Sequence, residues 1–355
     1  MLKFWKRLSK RLGKNMIRRL LWRIGFNIYR ISSEERAEFE GFERCLSGQT
    51  LTTVFGDDAG LLRNLKSRYA RVNLPIAVHS VWERKGTSDT EPDIGLGGVD
   101  LRAFRGHSAY VWSHTGSDPR LARMKYFIYA DAVRRKDSIG LLGKLREDAA
   151  FGCIGFDFPG IGFVSRDLMD SIFEINFLHK HLNVIERDDL RVLDIGAGYG
   201  RMAHRMLEAN PQIGSYTCVD AVPESTFLCE FYLKHRGLQN RVQVVPLDEV
   251  EHKLLPGQYD LALNIHSFSE CTYAAVEWWL MRIKTMNVQH LMIISNNPSQ
   301  FLSSERDGKR RDYAPLLQTL GYEVVAWEQL FDDPAVRELI GVHDNIFLFE
   351  QKTAE

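Results

Sequence analysis

From Arg191 onward the chain alternates short apolar runs with longer amphipathic ones. "RVLDI", "SYTCVD", "RVQVVPL", "YDLALNI", "HLMIIS", "YEVVAW" and "NIFLFEQ" read as strands. "GRMAHRMLEAN", "ESTFLCEFYLKHRG" and "TYAAVEWWLMRIKTM" read as helices between them, the second stopped by Gly237. "YAPLLQTLG" adds another, ending at Gly321. Strands alternating with crossover helices predict an α/β fold, a doubly wound, seven-stranded and mostly parallel Rossmann-like sheet. Ligands of such sheets sit at the carboxyl ends of the strands.

Upstream, residues 31–164 predict a mixed α+β region on the substrate side of that domain. "DDAGLLRNLKSRYARV" and "DPRLARMKYFIYADAVRRK" have helical periodicity, "SIGLLGKLREDAA" is helix-like, and "LPIAVHSVW" suggests a strand. "TSDTEPDIGLGG" is a loop by its Gly, Pro and Asp content. "FGCIGFDFPGIGFV" holds too much glycine for a long helix. Ser165 can cap "RDLMDSIFEINFLHKHL", where Leu168, Ile172, Ile175 and Leu178 recur at helical spacing. The Rossmann-like domain is expected over 165–355.

Composition adds bounds. The 355 residues are 45% hydrophobic, enough for a large core, and the net charge is zero, so bulk charge does not point to nucleic acid. Five scattered cysteines without a CxxC pair argue against metal clusters and disulfide frameworks, and favour a reducing cytoplasm. Charge is concentrated in residues 1–30, with ten Lys or Arg and no acid. As a helix, this segment sets Trp5, Leu8, Leu12, Met16 and Leu20 opposite Lys6, Arg7, Lys10, Lys14 and Arg18. No apolar run there is long enough to span a bilayer. A helix lying on an anionic membrane surface, a basic helix docked on its own domain or a frayed tail, and a presequence of mitochondrial type all fit this pattern.

The turn after the first strand of the sheet, "LDIGAGYGR", holds Asp194, Gly196, Gly198 and Gly200. Its G-x-G-x-G spacing differs from the G-x-G-x-x-G of dinucleotide sites. With the acid two residues ahead, it resembles motif I of class I S-adenosylmethionine-dependent methyltransferases. The resemblance implies S-adenosyl-L-methionine as cofactor, with Gly196, Ala197, Gly198, Tyr199 and Gly200 wrapping its methionine and ribose. Asp194 would face the cationic amino-acid end. Asp220, ending strand two, would accept the ribose hydroxyls, with Ala221 and Val222 beside the adenine. Leu247 and Asp248 would be at the adenine edge, and Asn264, near the end of strand four, completes the cofactor set. "LRAFRGHSAYVW", "FVSRDLMDSIFEINFL", "VLDIGAGYGRMAHRML" and "NIHSFSE" together look like the sugar O-methyltransferase family of polysaccharide biosynthesis clusters. That likeness implies a glycan or glycan-precursor acceptor and a cytoplasmic enzyme; residues 1–30 lie outside it, and a peripheral position on the membrane rests on that segment alone. The alternatives are a small-molecule, lipid or protein acceptor, or a cofactor-binding domain that serves as a membrane-associated assembly partner.

"NIHSFSE" ends strand four, beside the expected position of the sulfonium. A sugar hydroxyl is barely acidic, so its methylation gains from a base, and histidine, with an ordinary pKa of about 6.5, suits that role. His266 is the expected general base, a structural histidine being the alternative, with Glu270 orienting it or replacing it. Ser267 and Glu270 also spell S-x-x-E, a capping box for the next helix. Asn296 and Asn297 follow strand five and could bond sugar hydroxyls, or simply turn the chain before Pro298. Arg166 and Asp167 read as a solvated helix start, and "ERDGKRRD" as a solvated loop or a contact for an anionic glycan. No Asp/His spacing calls for a metal, although some sugar O-methyltransferases use magnesium. The missing Asn-Pro-Pro-aromatic signature argues against nucleic-acid bases as acceptors.

Overall fold

Apolar runs buried on both faces pair into a sheet, and a glycine-rich hairpin lies upstream of it. In the computed structural model the described residues are 58–78, 101, 103–106, 119–297 and 300–352. The basic segment 1–30, the end of "LPIAVHSVW" and the loop "TSDTEPDIGLGG" lie outside them. The glycine-rich stretch forms an antiparallel hairpin, β1 (Gly155–Phe158) and β2 (Gly162–Ser165). The main sheet contains β3 (Arg191–Ile195), β4 (Ser215–Val219), β5 (Val242–Val245), β6 (Leu261–Ile265), β7 (His290–Ile294), β8 (Tyr322–Gln329) and β9 (Asn345–Gln351). Its order is β5-β4-β3-β6-β7-β9-β8, seven strands, with the last two antiparallel to their neighbours. The expected α/β architecture is present.

From β3 the chain winds outward through β4 and β5, then returns to pair β6 on the other side of β3. That reversal opens a crevice at the carboxyl ends of β3, β4 and β6. Leu193, Leu263, Met292 and Ile293 are fully buried, as the near-continuous apolar runs of parallel strands require.

The helices are α1 (Asp58–Tyr69), α2 (Pro119–Lys136), α3 (Leu141–Lys144), α4 (Arg166–Leu182), α5 (Arg201–Ala209), α6 (Pro223–His235), α7 (Val250–Lys253), α8 (Tyr273–Thr285), α9 (Ala314–Thr319) and α10 (Pro334–Ile340). Ser165 caps α4 as expected, its hydroxyl accepting from the Leu168 amide at 3.0 Å. Leu62 and Leu65 on α1 and Tyr126 and Val133 on α2 belong to the same hydrophobic core as the sheet.

Three local expectations are corrected. Pro75–Ala77 form a 3₁₀ turn in place of the start of a strand, because proline presets the turn and the Val78 amide closes it on Pro75. "SIGLLGKLREDAA" yields only the four-residue α3. The Asp137 carboxylate captures the Leu141 and Leu142 amides, and Ala149 takes a left-handed conformation at φ 55°. The S-x-x-E box does not start a helix. Ser267–Glu270 is a separate 3₁₀ turn, and Thr272 caps α8 by accepting from the Ala275 amide. α10 went unpredicted, though Asp333 caps it, Pro334 begins it and Gly341 ends it.

Candidate functional site

The glycine turn lies against the end of β4. The Gly196 and Ala197 amides both donate to the Val219 carbonyl, at 2.8 and 3.2 Å. One Asp220 carboxylate oxygen accepts from the Gly198 amide at 2.9 Å and the other from Val222 at 2.8 Å. Gly196 has φ 78°, and a Cβ there would run into the Ser267 side chain. Glycine is therefore required both for the turn and for the approach of the β6 loop. Gly200, at φ 84°, starts α5, where a Cβ would press on Cys229 and Leu233; its role is packing.

Above this turn is a cavity of about 520 Å³. Ligand pockets usually span roughly 300–1,000 Å³. It is lined by Asp194, Gly196, Ala197, Gly198, Tyr199, Asp220, Ala221, Val222, His266, Glu270, Asn296 and Asn297, so the structure gathers most of the expected site residues into one place.

Two carboxyls at its floor are electrostatically unusual. Asp194 accepts from the Tyr216 hydroxyl at 3.0 Å, yet burial pushes its pKa up to about 7. Asp220 also rises to about 7, through its enclosure by protein and despite its two backbone hydrogen bonds. Each is poised to gain charge when a ligand brings donors or a cation.

Several expected cofactor residues do other work. Asn264 is fully buried; its amide donates to the Ile195 carbonyl and its oxygen accepts from the Phe268 amide, both at 2.9 Å. It fixes the glycine turn and the β6 loop relative to each other. Leu247 and Asp248 are absent from the cavity lining. The Leu247 amide donates to the Tyr69 hydroxyl at 2.9 Å, and Asp248 receives a fork from Arg68 at 2.9 and 3.0 Å. Tyr199 borders the cavity, but its hydroxyl donates to Asp167 and its ring packs edge-on against Phe104 and Tyr232.

At the acceptor end, His266 holds a left-handed backbone at φ 64°, fixed by its amide donating to the Ile294 carbonyl at 2.7 Å. Such strain in a non-glycine residue is concentrated at functional sites. Its Nε2 lies 3.8 Å from an Asp344 carboxylate oxygen, and its Nδ1 is buried without a hydrogen-bond partner. Arg166 approaches the same Asp344 oxygen at 3.6 Å while gripping Asp170 at 2.7 and 2.8 Å. The Asn297 side-chain nitrogen is also buried and unpartnered at the cavity wall.

Arg166 and Asp167 correct the expectation of a solvated helix start: they are 5% and 1% exposed, and both line the cavity. Arg310, from the basic loop, reaches its mouth. Asp344 is a candidate site residue that sequence reasoning missed, and "GVHDN" carries no signal for it. Among the described residues no group of three or more His, Cys, Asp or Glu could hold a metal ion.

No protein-family model matches the chain, and no curated protein matches it. Several solved structures are similar. One is N,N-8-amino-8-demethyl-D-riboflavin dimethyltransferase (RosA) from Streptomyces davawensis, at 19% identity and TM-score 0.36, covering 53% of this chain and 58% of that one. Another is StiE O-MT residues 961–1257, at 14% identity and TM-score 0.40, covering 54% and 78%. The [4+2]-cyclase SpnF is similar at 14% identity and TM-score 0.39, covering 64% and 95%. At this level likeness identifies no activity, and function has to be read from the cavity itself.

Proposed function

We propose that the chain is an S-adenosylmethionine-dependent O-methyltransferase acting on a sugar hydroxyl of a surface or capsular polysaccharide or its precursor. The observation that carries the cofactor reading is the Asp220 carboxylate. Backbone amides fix both its oxygens beside the glycine turn, and the residue lines the cavity, where a carboxylate can receive a ribose diol. Asp194 offers the floor of the cavity an acid that a cationic amino-acid end would ionise. The residues therefore fit the cofactor. Bound there, S-adenosylmethionine supplies an electrophilic methyl group.

The chain's own part is at the acceptor. His266 takes the hydroxyl proton at Nε2, which lies 3.8 Å from an Asp344 carboxylate oxygen. A base so placed is worth roughly 10² to 10⁴ in rate. Asn296 and Asn297 place the sugar, and the unpartnered Asn297 nitrogen offers a donor for a hydroxyl oxygen. Glu270 lines the same cavity as Asp220 and His266, and can orient the base or replace it.

The basic stretch 1–30 supports work at an anionic membrane surface; among the described residues no helix is long and apolar enough to cross a membrane. The test compares surface glycans from cells with and without this protein by mass spectrometry. A methyl ether that disappears with the protein, and is restored with formation of S-adenosylhomocysteine in vitro, is expected. Unchanged glycan methylation would reject the sugar acceptor.

A further inference from the structure

The cofactor cavity has a wall that the sheet does not supply. α1 packs on α6 and on the turn after β5, and Pro75–Ala77 packs on α8. The short stretch from Tyr69 to Val78 therefore runs from the end of β5 across to the helix that follows β6. Ile76 and Val78 line the cavity from it.

At the β5 end this stretch occupies the polar groups that could read a base. The Leu247 amide has one hydrogen to give, and the Tyr69 hydroxyl takes it at 2.9 Å. That hydroxyl also bonds the Thr226 side chain at 2.8 Å and approaches the Asp220 carbonyl at 3.3 Å, so one phenol ties together the ends of β4 and β5 and the start of α6. Burial raises the Tyr69 pKa, so the phenol stays protonated. Asp248 is pinned by the Arg68 fork, with Glu249 bonded to the same guanidinium at 2.6 Å. Apart from Ser225, which is buried, what the cavity presents nearby is apolar: Ala221 and Val222 from the sheet side, Ile76 and Val78 from the stretch.

We infer that this chain holds the cofactor's nucleobase between apolar faces and leaves its hydrogen-bonding edge unread, because Tyr69 has taken the Leu247 amide and the Arg68 fork holds Asp248 outside the cavity lining. The inference rests on the cofactor reading above. Nucleoside selectivity then resides in Asp220 and the ribose, and Tyr69 is a positioning residue for the loops that hold them.

The test is calorimetric binding of S-adenosylhomocysteine and S-inosylhomocysteine to the full chain. Inosine replaces the amino donor of the base edge with a carbonyl and the ring acceptor with an N–H. A site that reads the edge with an amide and a carboxylate rejects it. The expected result is a Kd for the two compounds within about threefold of each other. Asp220→Asn should weaken both by at least tenfold and to the same extent. Arg68→Ala and Tyr69→Phe, which free Asp248 and the Leu247 amide, should create a preference for the adenosyl compound of fivefold or more. Binding of S-adenosylhomocysteine with more than tenfold rejection of the inosyl compound by the unaltered chain would overturn the inference while leaving the cofactor reading intact. Failure to bind either compound would remove both.

Discussion

His266 sits in a conformation that costs a residue with a Cβ on the order of 1–3 kcal/mol, and its backbone is held there by the Ile294 carbonyl. This separates chemistry from structure. His266→Ala should lower methyl transfer roughly 10²-fold with little change in cofactor affinity. His266→Gly should lose as much rate yet unfold no more easily than the parent, since glycine accepts φ 64° without strain. Urea denaturation beside turnover checks both; near-full activity in the alanine variant would remove His266 from the chemistry. The two floor carboxyls give a second prediction. Asp194 and Asp220 are both raised to about 7, and a cationic, diol-bearing ligand prefers them charged. Affinity for S-adenosylmethionine should therefore rise with pH toward about 7 and then level off, with Asp220→Asn flattening the profile. In the ligand-free protein the sign reverses. A raised acid pKa stabilises the fold fully below the unfolded value of about 3.9, and that contribution fades as pH rises through about 7. That Gly196, Gly198, Asp220 and His266 meet at one cavity was legible in the sequence, because each follows the end of a strand of the sheet. Asp344 was not, because it reaches the site only through the pairing of β9 beside β7.

The element after β6 shows how a local motif misleads. S-x-x-E at 267–270 has the composition of a capping box, but the His266 kink turns the chain before a helix can start. The helix begins one turn later, where Thr272 is free to take an extended conformation and cap it. Thr272→Ala should accordingly cost about 1 kcal/mol of stability. Ser267→Ala should cost little as a cap; what Ser267 does is face Gly196 across the turn. Chemical denaturation of the two variants distinguishes these roles, and a larger loss at Ser267 would reinstate the box. The strands of the main sheet were read correctly because most are apolar runs, and Gly196, Asp220, Pro246 and Ser295 follow the ends of β3, β4, β5 and β7. "LPIAVHSVW" looked similar, but its start, Pro75–Ala77, closes into a local turn that the Val78 amide completes.

At the scale of the whole molecule, what the sequence concealed is a buried ion network linking the upstream region to the sheet. Arg105, Glu147, Asp167 and Arg205 have fully buried side chains. Glu147 receives Arg105 and Arg205, each at 2.9 Å, and the Ser165 hydroxyl at 2.6 Å. Asp167 receives both arginines as well as the Tyr199 hydroxyl, so the network ends at the glycine turn. Its members are spread over a hundred residues of chain, and no local pattern foretells their meeting; Arg166 and Asp167 looked solvated for that reason. Burial alone would raise the Asp167 pKa, but Arg105, Arg205 and Arg201 hold it below the ordinary carboxylate range. The sign is opposite to that of the cavity floor: stability from Asp167 is present above pH about 4 and is lost only as pH falls through its depressed value. Removing one partner strands charge in a place water cannot reach, which typically costs about 3–5 kcal/mol. Glu147→Ala should therefore lower the urea midpoint by an amount corresponding to that loss, with an unchanged slope. Because Asp167 and Tyr199 border the cavity, the variant that still folds should also bind S-adenosylmethionine more weakly, although Glu147 is not part of the cavity lining. A loss below about 1 kcal/mol, the scale of an exposed ion pair, with unchanged affinity would mean that the upstream region is held to the sheet by its apolar contacts, and that the arginines only accompany them.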